Sequence, residues 1–511
     1  MEIIEGLMQG FSVALSPINL LYVALGVTMG TVFGLLPGIG PTAAVALLLP
    51  MTFTMEPASG IIMLAGIYYG SMYGGRIPAI LMRLPGDSSS VLTTLDGYPL
   101  TQQGRAGAAL GITAIGSFLG GTVAIIGLSI LAPTLAQFAS SFAPPELFLL
   151  MLFGLFMIVL IGSGKTVKSI LMALLGIVIA TVGMDPISGT SRLTFGSYDL
   201  AAGIGIVPLA IGLFGIGEVL NNMAVGSDGR SKIGKMKGFM PSWADWVTSR
   251  MAILRASVLG FFIGILPGGG GTVSSVMAYG LEKKFSKSPE KFGKGAIDGL
   301  AATETADNAS SNSAFVPLLT LGVPPNPVLA LMFGALLLQN ITPGPQLVNE
   351  HPDVFYGVIA SMYIGNIILL MLNLPLIRVF VSILRVPQSL LGPLVILIAI
   401  CGVYAVSNSM FDVLLMLIAG IGGFILRRFE FDLAPLILGF ILGPMLEVEW
   451  RRAMIMSEGS FGIFLDRPAS LVILMLLLAT VSLTSISAMR KRRSLVSRVA
   501  AESMDTLVEH K

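Results

Sequence analysis

The chain has 511 residues, 54% of them hydrophobic and only 11% charged, against about a quarter charged in soluble domains. That excludes a water-soluble enzyme and a disordered protein, and the net charge of +2 gives nucleic-acid binding no electrostatic support. At about 20 apolar residues per crossing helix, the composition makes room for roughly a dozen elements in a lipid bilayer. The one cysteine, Cys401, excludes an intrachain disulfide. His351 and His510 make no metal site with it at any usual spacing, so no metal and no cofactor is expected.

In chain order, the N-terminus (Met1-Glu-Ile-Ile-Glu5) lacks the basic head of a cleaved secretory signal, so the first apolar segment is expected to be retained. Hydrophobic windows follow at 17–55, 57–85, 107–134, 145–162, 166–183, 203–223, 256–281, 296–343, 356–377, 388–406, 409–426, 432–446 and 469–489. Basic residues in short loops set orientation. Arg490–Arg493 put the C-terminal tail in the cytoplasm, and Arg427/Arg428, Arg378/Arg385, Arg105 and Lys165/Lys168 fall on the same side. The stretches 184–200 and 344–353 fall outside. Arg451/Arg452 are the main exception, offset by Glu447, Glu449 and Glu458.

Residues 225–255 carry six basic residues against two acids, and 282–294 five against two, so both flanks of window 256–281 favour the cytoplasm. The window is broken by Leu266-Pro-Gly-Gly-Gly-Gly271. A re-entrant hairpin buried in protein satisfies both flanks; the alternative is a full crossing with one loop on the wrong side.

Gly30-Thr-Val-Phe-Gly-Leu-Leu-Pro-Gly-Ile-Gly-Pro-Thr42 matches Gly260-Phe-Phe-Ile-Gly-Ile-Leu-Pro-Gly-Gly-Gly-Gly-Thr272 without a gap, at an offset of 230. Gly34, Pro37, Gly38 and Gly40 pair with Gly264, Pro267, Gly268 and Gly270. Pro78 and Pro85 then repeat as Pro317 and Pro324, at an offset of 239. In the charge map the first pair of motifs precedes a cytoplasmic loop and the second an external one. The expected fold is therefore an all-α polytopic membrane protein of about 12 membrane elements, in two inverted-topology repeats with broken or re-entrant helices. The first repeat is placed at 1–224, a cytoplasmic linker at 225–255, the second repeat at 256–447, and a final helix with a basic tail at 448–511. Inverted repeats with paired Gly/Pro-interrupted segments point to a secondary transporter. Broken helices turn positive dipole ends into a mid-membrane cavity, which suits an anionic substrate, and freed carbonyls suit a coupling cation.

Polar residues inside apolar stretches mark the candidate site. Glu304, Asp307, Asn308 and Asn312 recur at i, i+3, i+4 and i+8, on one helix face. Carboxylates at such depth serve proton relay, cation binding or neutralisation of a buried base; the alternative is a wet helix start. Arg76 and Arg83 flank the Pro78–Pro85 element, and an arginine fork fits a carboxylate. Either arginine grips substrate or is neutralised by Asp87, Glu304 or Asp307. The loop 268–271 is no phosphate cradle, since no Gly-Lys-Ser/Thr follows.

The sequence resembles the large permease subunit of the tripartite tricarboxylate transporter family. The resemblance rests on Gly34–Thr42, Tyr68-Tyr-Gly-Ser-Met-Tyr-Gly-Gly75, Leu84-Pro-Gly-Asp-Ser-Ser-Ser90, Asp96-Gly-Tyr-Pro99, Gly264–Thr272, Phe292-Gly-Lys-Gly-Ala-Ile-Asp-Gly299 and Pro317–Pro324, and covers about 15–490. It implies a bacterial inner-membrane permease that works with a small four-helix membrane subunit and a periplasmic solute-binding protein. The cargo would be a small organic anion of the tricarboxylate or dicarboxylate class, with a sodium ion or proton as coupling ion. Arg76, Arg83 and the run Asp307–Ser313 depart from the family pattern. Ser88, Ser89, Asn308, Ser310, Ser311 and Asn312 are the expected polar contacts to substrate, with Arg76 and Arg83 as anion clamps. Glu304 and Asp307 are the expected coupling-ion residues. A passive anion channel is the alternative function, since Gly-rich re-entrant loops also build selectivity filters. An intramembrane enzyme is disfavoured by the lack of a nucleophile–base pair.

Overall fold

A chain this apolar must satisfy its backbone polar groups within its own segments, and helices do so. The computed structural model describes residues 2–36, 38–161, 166–185, 187–225, 240–383 and 388–482. Pro37, Lys165, Arg385 and the basic tail at 490–493 lie outside the described residues, as does most of the basic stretch ahead of 240.

The first half holds α1 (Glu2–Ala14), α2 (Pro17–Leu35), α3 (Pro41–Leu48), α4 (Pro57–Met82), α5 (Thr93–Gln102), α6 (Ala106–Ala139), α7 (Pro144–Ile161) and α8 (Thr166–Ala180). A two-stranded antiparallel hairpin, β1 (Gly183–Met184) and β2 (Ser191–Arg192), and the short α9 (Tyr198–Ala201) follow. Next, α10 (Ile206–Ala210) runs through a π turn into α11 (Gly217–Val225). The second half holds α12 (Trp243–Ile265), α13 (Gly270–Phe285), α14 (Ile297–Ser313), α15 (Phe315–Leu321), α16 (Pro327–Leu338), α17 (Leu347–Glu350) and α18 (Pro352–Asn373). It closes with α19 (Ile377–Ile383), α20 (Gln388–Ser407), α21 (Met410–Arg428), α22 (Ala434–Met456), α23 (Ile463–Asp466) and α24 (Pro468–Ser482). Among the described residues six helices are long and apolar enough to cross a membrane, and seven shorter apolar helices accompany them.

Windows 17–55 and 256–281 both resolve into helix, break and helix. The second hairpin has longer arms than its apolar window. Its first arm starts at Trp243, inside the expected linker, because a capping box ends the helix there: Asp245 N donates to Ser242 Oγ (3.2 Å) and Ser242 N to Asp245 Oδ2 (3.0 Å). The arms return side by side, and Arg255 on α12 grips Glu282 on α13 through Nη2 at 2.7 Å and Nε at 3.1 Å. This neutralised pair carries the hairpin past the apolar window at both ends.

In each half one long helix packs onto the second helix after its break, α2 on α4 and α12 on α14, through two glycines. A Cβ on Gly30 would lie 2.3 Å from the Ile67 carbonyl oxygen, and one on Gly34 2.0 Å from that of Ser71. On α12, a Cβ at Gly260 would lie 2.5 Å from the Ala306 carbonyl oxygen, and at Gly264 2.2 Å from that of Ser310. The glycines differ by 230 and their contact residues by 239, the same two offsets as the sequence motifs. Gly264→Ala should therefore lower stability by about 1–3 kcal/mol through overpacking. Gly280→Ala, on the open face of α13, should leave the melting temperature unchanged or raise it. Thermal unfolding of the detergent-purified variants checks both.

The basic residues that break the charge pattern are paired. Arg192 bonds Glu447 through both terminal nitrogens (2.8 and 2.9 Å) and also bonds Asp185. Arg451 reaches Glu447 at 2.5 Å and Asp185 at 3.1 Å, and Arg452 bonds Glu449 at 2.9 Å. The cluster fastens the β-hairpin onto α22. The backbone N–H of Ile187, with Ser188 and Arg451, holds the Asp185 carboxyl well below the usual range.

Candidate functional site

The two breaks have the same backbone logic. At the end of α2 the Leu36 N–H bonds Phe33 O, and Gly38 takes φ +87° before α3 starts. At the end of α12 the Leu266 N–H bonds Ile263 O, and Gly268 takes φ +77° before α13 starts. Only glycine enters that region without strain. Both breaks are held by other elements: Asn222 Nδ2 donates to Gly38 O (3.0 Å) and Gly268 N to Pro325 O (2.9 Å).

The second pair of motifs also builds matched structure. Helices α4 and α15 both end in a left-handed residue, Arg83 (φ +60°) and Gly322 (φ +66°). Four residues later stand Asp87 and Asn326. Asp87 Oδ1 accepts from Ser90 N at 3.1 Å, and Asn326 Oδ1 accepts from Leu329 N at 3.0 Å. Each pair is 239 apart.

All four segments meet at one cavity of about 830 Å³. Its wall takes Gly38–Ala43 and Gly268–Val273 from the breaks, Pro85–Ser89 and Pro325–Val328 from the following loops, and Tyr68 and Met72 from α4. Thus the first turns of α3, α13 and α16 all border the same space. The charged residues in the wall are Asp87, Glu218, Arg427 and Asp432, and Arg427 is paired with Glu218.

The expected site residues divide. Ser88 and Ser89 line the cavity, and Ser88 Oγ lies 2.9 Å from Thr272 Oγ1, bridging the two halves. Gly38, Gly40, Gly268 and Gly270 line it too, whereas Gly34 and Gly264 serve helix packing and Pro267 sits in its turn outside the wall. Arg83 is exposed and outside the cavity wall. Arg76 is fully buried behind it: Nη1 donates to Ser117 Oγ (3.2 Å) and the guanidinium stacks on Tyr73, 4.5 Å from the ring centre. It shares an electrostatic interaction with Glu304, whose Oε1 accepts from Thr93.

On α14 every residue from Gly299 to Ser313 is buried. The polar face is therefore enclosed by protein, and many of its groups bond locally, while Glu304 Oε2, Asp307 Oδ1 and Asn308 Oδ1 have no hydrogen-bond partner. Asn308 Nδ2 donates to Ser117 Oγ (2.8 Å) and Glu304 O, Asn312 Nδ2 to Asn308 O, and Ser311 Oγ to Asp307 O. Ser310 Oγ accepts from Ser274 Oγ at 2.9 Å. Asn308 and Ser310 bond neighbouring helices, Ser311 and Asn312 donate to the backbone of their own helix, and none of the four lines the cavity. Asp307 is 3% exposed and reaches its edge: Oδ1 would lie 1.9 Å from a Cβ on Gly271, a wall residue.

Two sequence motifs prove to be one latch. Asp96 is fully buried. Its Oδ1 accepts from Gly293 N (2.9 Å), Gly295 N (2.7 Å) and Ala296 N (2.8 Å), and Tyr279 OH donates to Oδ2 (2.8 Å). The carboxylate thereby caps the loop ahead of α14 and ties α5 to the second half. Reading the residues by type missed Tyr68, Asn326, Thr42 and Thr272 in the wall. The 239 offset carries Asp87 to Asn326 and Asp307 to Tyr68, and would have found both.

Fold and site define a multi-pass α-helical membrane protein whose cavity lies between two broken helices. The chain belongs to the Tripartite tricarboxylate transporter TctA family, whose sequence model matches residues 20–438. It is 44% identical over 496 residues to an uncharacterized 52.8 kDa protein in the TAR-I ttuC' 3'region of Agrobacterium vitis, covering 97% of this chain and 99% of that one. It is 46% identical over 237 residues to an uncharacterized protein in the TAR-II ttuC' 3'region of the same organism, covering 46% of this chain and 98% of that one. An uncharacterized protein of Methanocaldococcus jannaschii, MJ1079, is 28% identical over 258 residues, 49% of this chain and 58% of its own length. No solved structure matches the chain.

Proposed function

We propose that this chain is the large membrane subunit of a tripartite secondary transporter in a bacterial inner membrane. It takes a small organic anion of the di- or tricarboxylate class from a periplasmic solute-binding protein, beside a small four-helix membrane subunit, and a sodium or proton gradient drives uptake. The observation that carries the reading is the convergence of the first turns of α3, α13 and α16 on one cavity. Helix N-termini present unpaired N–H groups and positive dipole ends, which stabilise bound anions. The arginine in the wall is paired, so backbone N–H groups with Ser88, Thr42 and Thr272 supply the anion contacts. The matched contacts at offsets of 230 and 239 support reading the halves as copies, and the charge map supports their opposite orientation.

The test is uptake of labelled di- and tricarboxylates into proteoliposomes holding both membrane subunits, with the binding protein added outside. Saturable uptake should require the binding protein and an imposed sodium or proton gradient. Uptake that persists after both gradients are collapsed, or single-channel conductance, would count for a passive pore instead.

A further inference from the structure

The repeat offset makes the cavity two half-sites, and these differ in charge. The loop residue of the second half, Asn326, meets the helix residue of the first, Tyr68: Asn326 Nδ2 donates to Tyr68 OH at 3.2 Å. At the equivalent positions, 239 residues away in each case, stand Asp87 in the first half and Asp307 in the second. The loop geometry is the same on both sides, with an Asx cap closed at 3.1 Å by Asp87 and at 3.0 Å by Asn326. One half-site is therefore neutral and closed by its own hydrogen bond, whereas the other holds two carboxylates.

The one hydroxyl between the carboxylates is committed to Asp87. Ser89 Oγ donates to Asp87 Oδ2 at 2.7 Å, and Ser89 and Asp307 meet at Gly271, where an added Cβ would lie 3.1 Å from Ser89 Cβ and 1.9 Å from Asp307 Oδ1. A hydroxyl has one proton and serves one carboxylate fully. Asp307 Oδ1 has no hydrogen-bond partner and is buried against Gly271. The other buried acid nearby, Glu304, has Arg76 for its counter-charge, and Arg427 is taken by Glu218. Among the described residues, nothing of positive sign in the cavity wall is left for this pair. An uncompensated carboxylate at such depth is costly, and carboxylate plus hydroxyl oxygens are the ligand set of a hard cation.

We propose that Asp87, Asp307 and Ser89 form one sodium site, and that its pseudo-symmetric counterpart at Asn326 and Tyr68 binds none, so that the cavity takes a single sodium ion. This rests on the transporter reading above and moves the coupling role from Glu304 to Asp87.

The probe is 22Na+ binding to the full chain in lipid nanodiscs at alkaline pH, without substrate. We expect one ion per chain at saturation. Asp87→Asn and Asp307→Asn should each weaken binding by about tenfold or more, the equivalent of about 1.4 kcal/mol, and Glu304→Gln should keep it. Both Asn exchanges neutralise the pair without changing its shape, so melting temperatures should hold; should either fail to fold, the wild-type stoichiometry and the Ser89→Ala variant, expected to bind more weakly, still decide. Two ions per chain, no ion bound by the wild type, or binding undiminished in a folded Asn variant would overturn the proposal. Gradient-driven carboxylate uptake with two bound ions would sink this site alone; one bound ion without carboxylate uptake would sink the transporter reading alone.

Discussion

Arg76→Met should cost up to about 3–5 kcal/mol of stability, the range seen when a buried charge is left uncompensated. Arg76 is fully buried, with Ser117 as its hydrogen-bond partner and the Tyr73 ring beneath it. Its opposite charge, Glu304, is 2% exposed and has one carboxylate oxygen without a partner. Methionine keeps most of the volume but strands the carboxylate. Adding Glu304→Gln removes the stranded charge, so the double variant should recover a large part of the loss. Thermal unfolding of the four proteins of this cycle in detergent reads the coupling directly. A single Arg76→Met variant that melts with the wild type would mean that Glu304 does not depend on Arg76. Substrate affinity is expected to move little in the double variant, because neither group reaches the cavity wall.

Asp307→Asn should reduce gradient-driven uptake by about 100-fold, toward the upper end of typical coupling free energies of about 1–3 kcal/mol. Asp307 stands on a helix otherwise closed off by protein, yet its Oδ1 touches the glycine turn that opens α13. The amide preserves shape and removes charge, so folding should survive while dependence on the driving ion is lost. Proteoliposome uptake with and without the gradient measures it. Equal uptake and equal ion dependence in variant and wild type would remove Asp307 from the coupling machinery.

The breaks, the repeat offsets and the all-helical membrane character were legible in the sequence, because glycine, proline and apolar runs act through local chemistry. Leu-Pro-Gly stops a helix wherever it occurs, and a chain with 11% charged residues must satisfy its backbone internally. Which polar groups face the cavity was not legible. Periodicity placed Glu304, Asp307, Asn308 and Asn312 on one helix face, but a polar face looks the same in sequence whether water or another helix covers it. Packing of α14 against α12 and α6 made most of that face an interface and left Asp307 alone at the cavity edge. Arg76 and Arg83, seven positions apart, parted for the same reason. One is walled in beside Glu304 and the other caps its helix in the open. The charge asymmetry between the half-sites likewise emerges only from tertiary contact, since each pairs a loop of one half with a helix of the other.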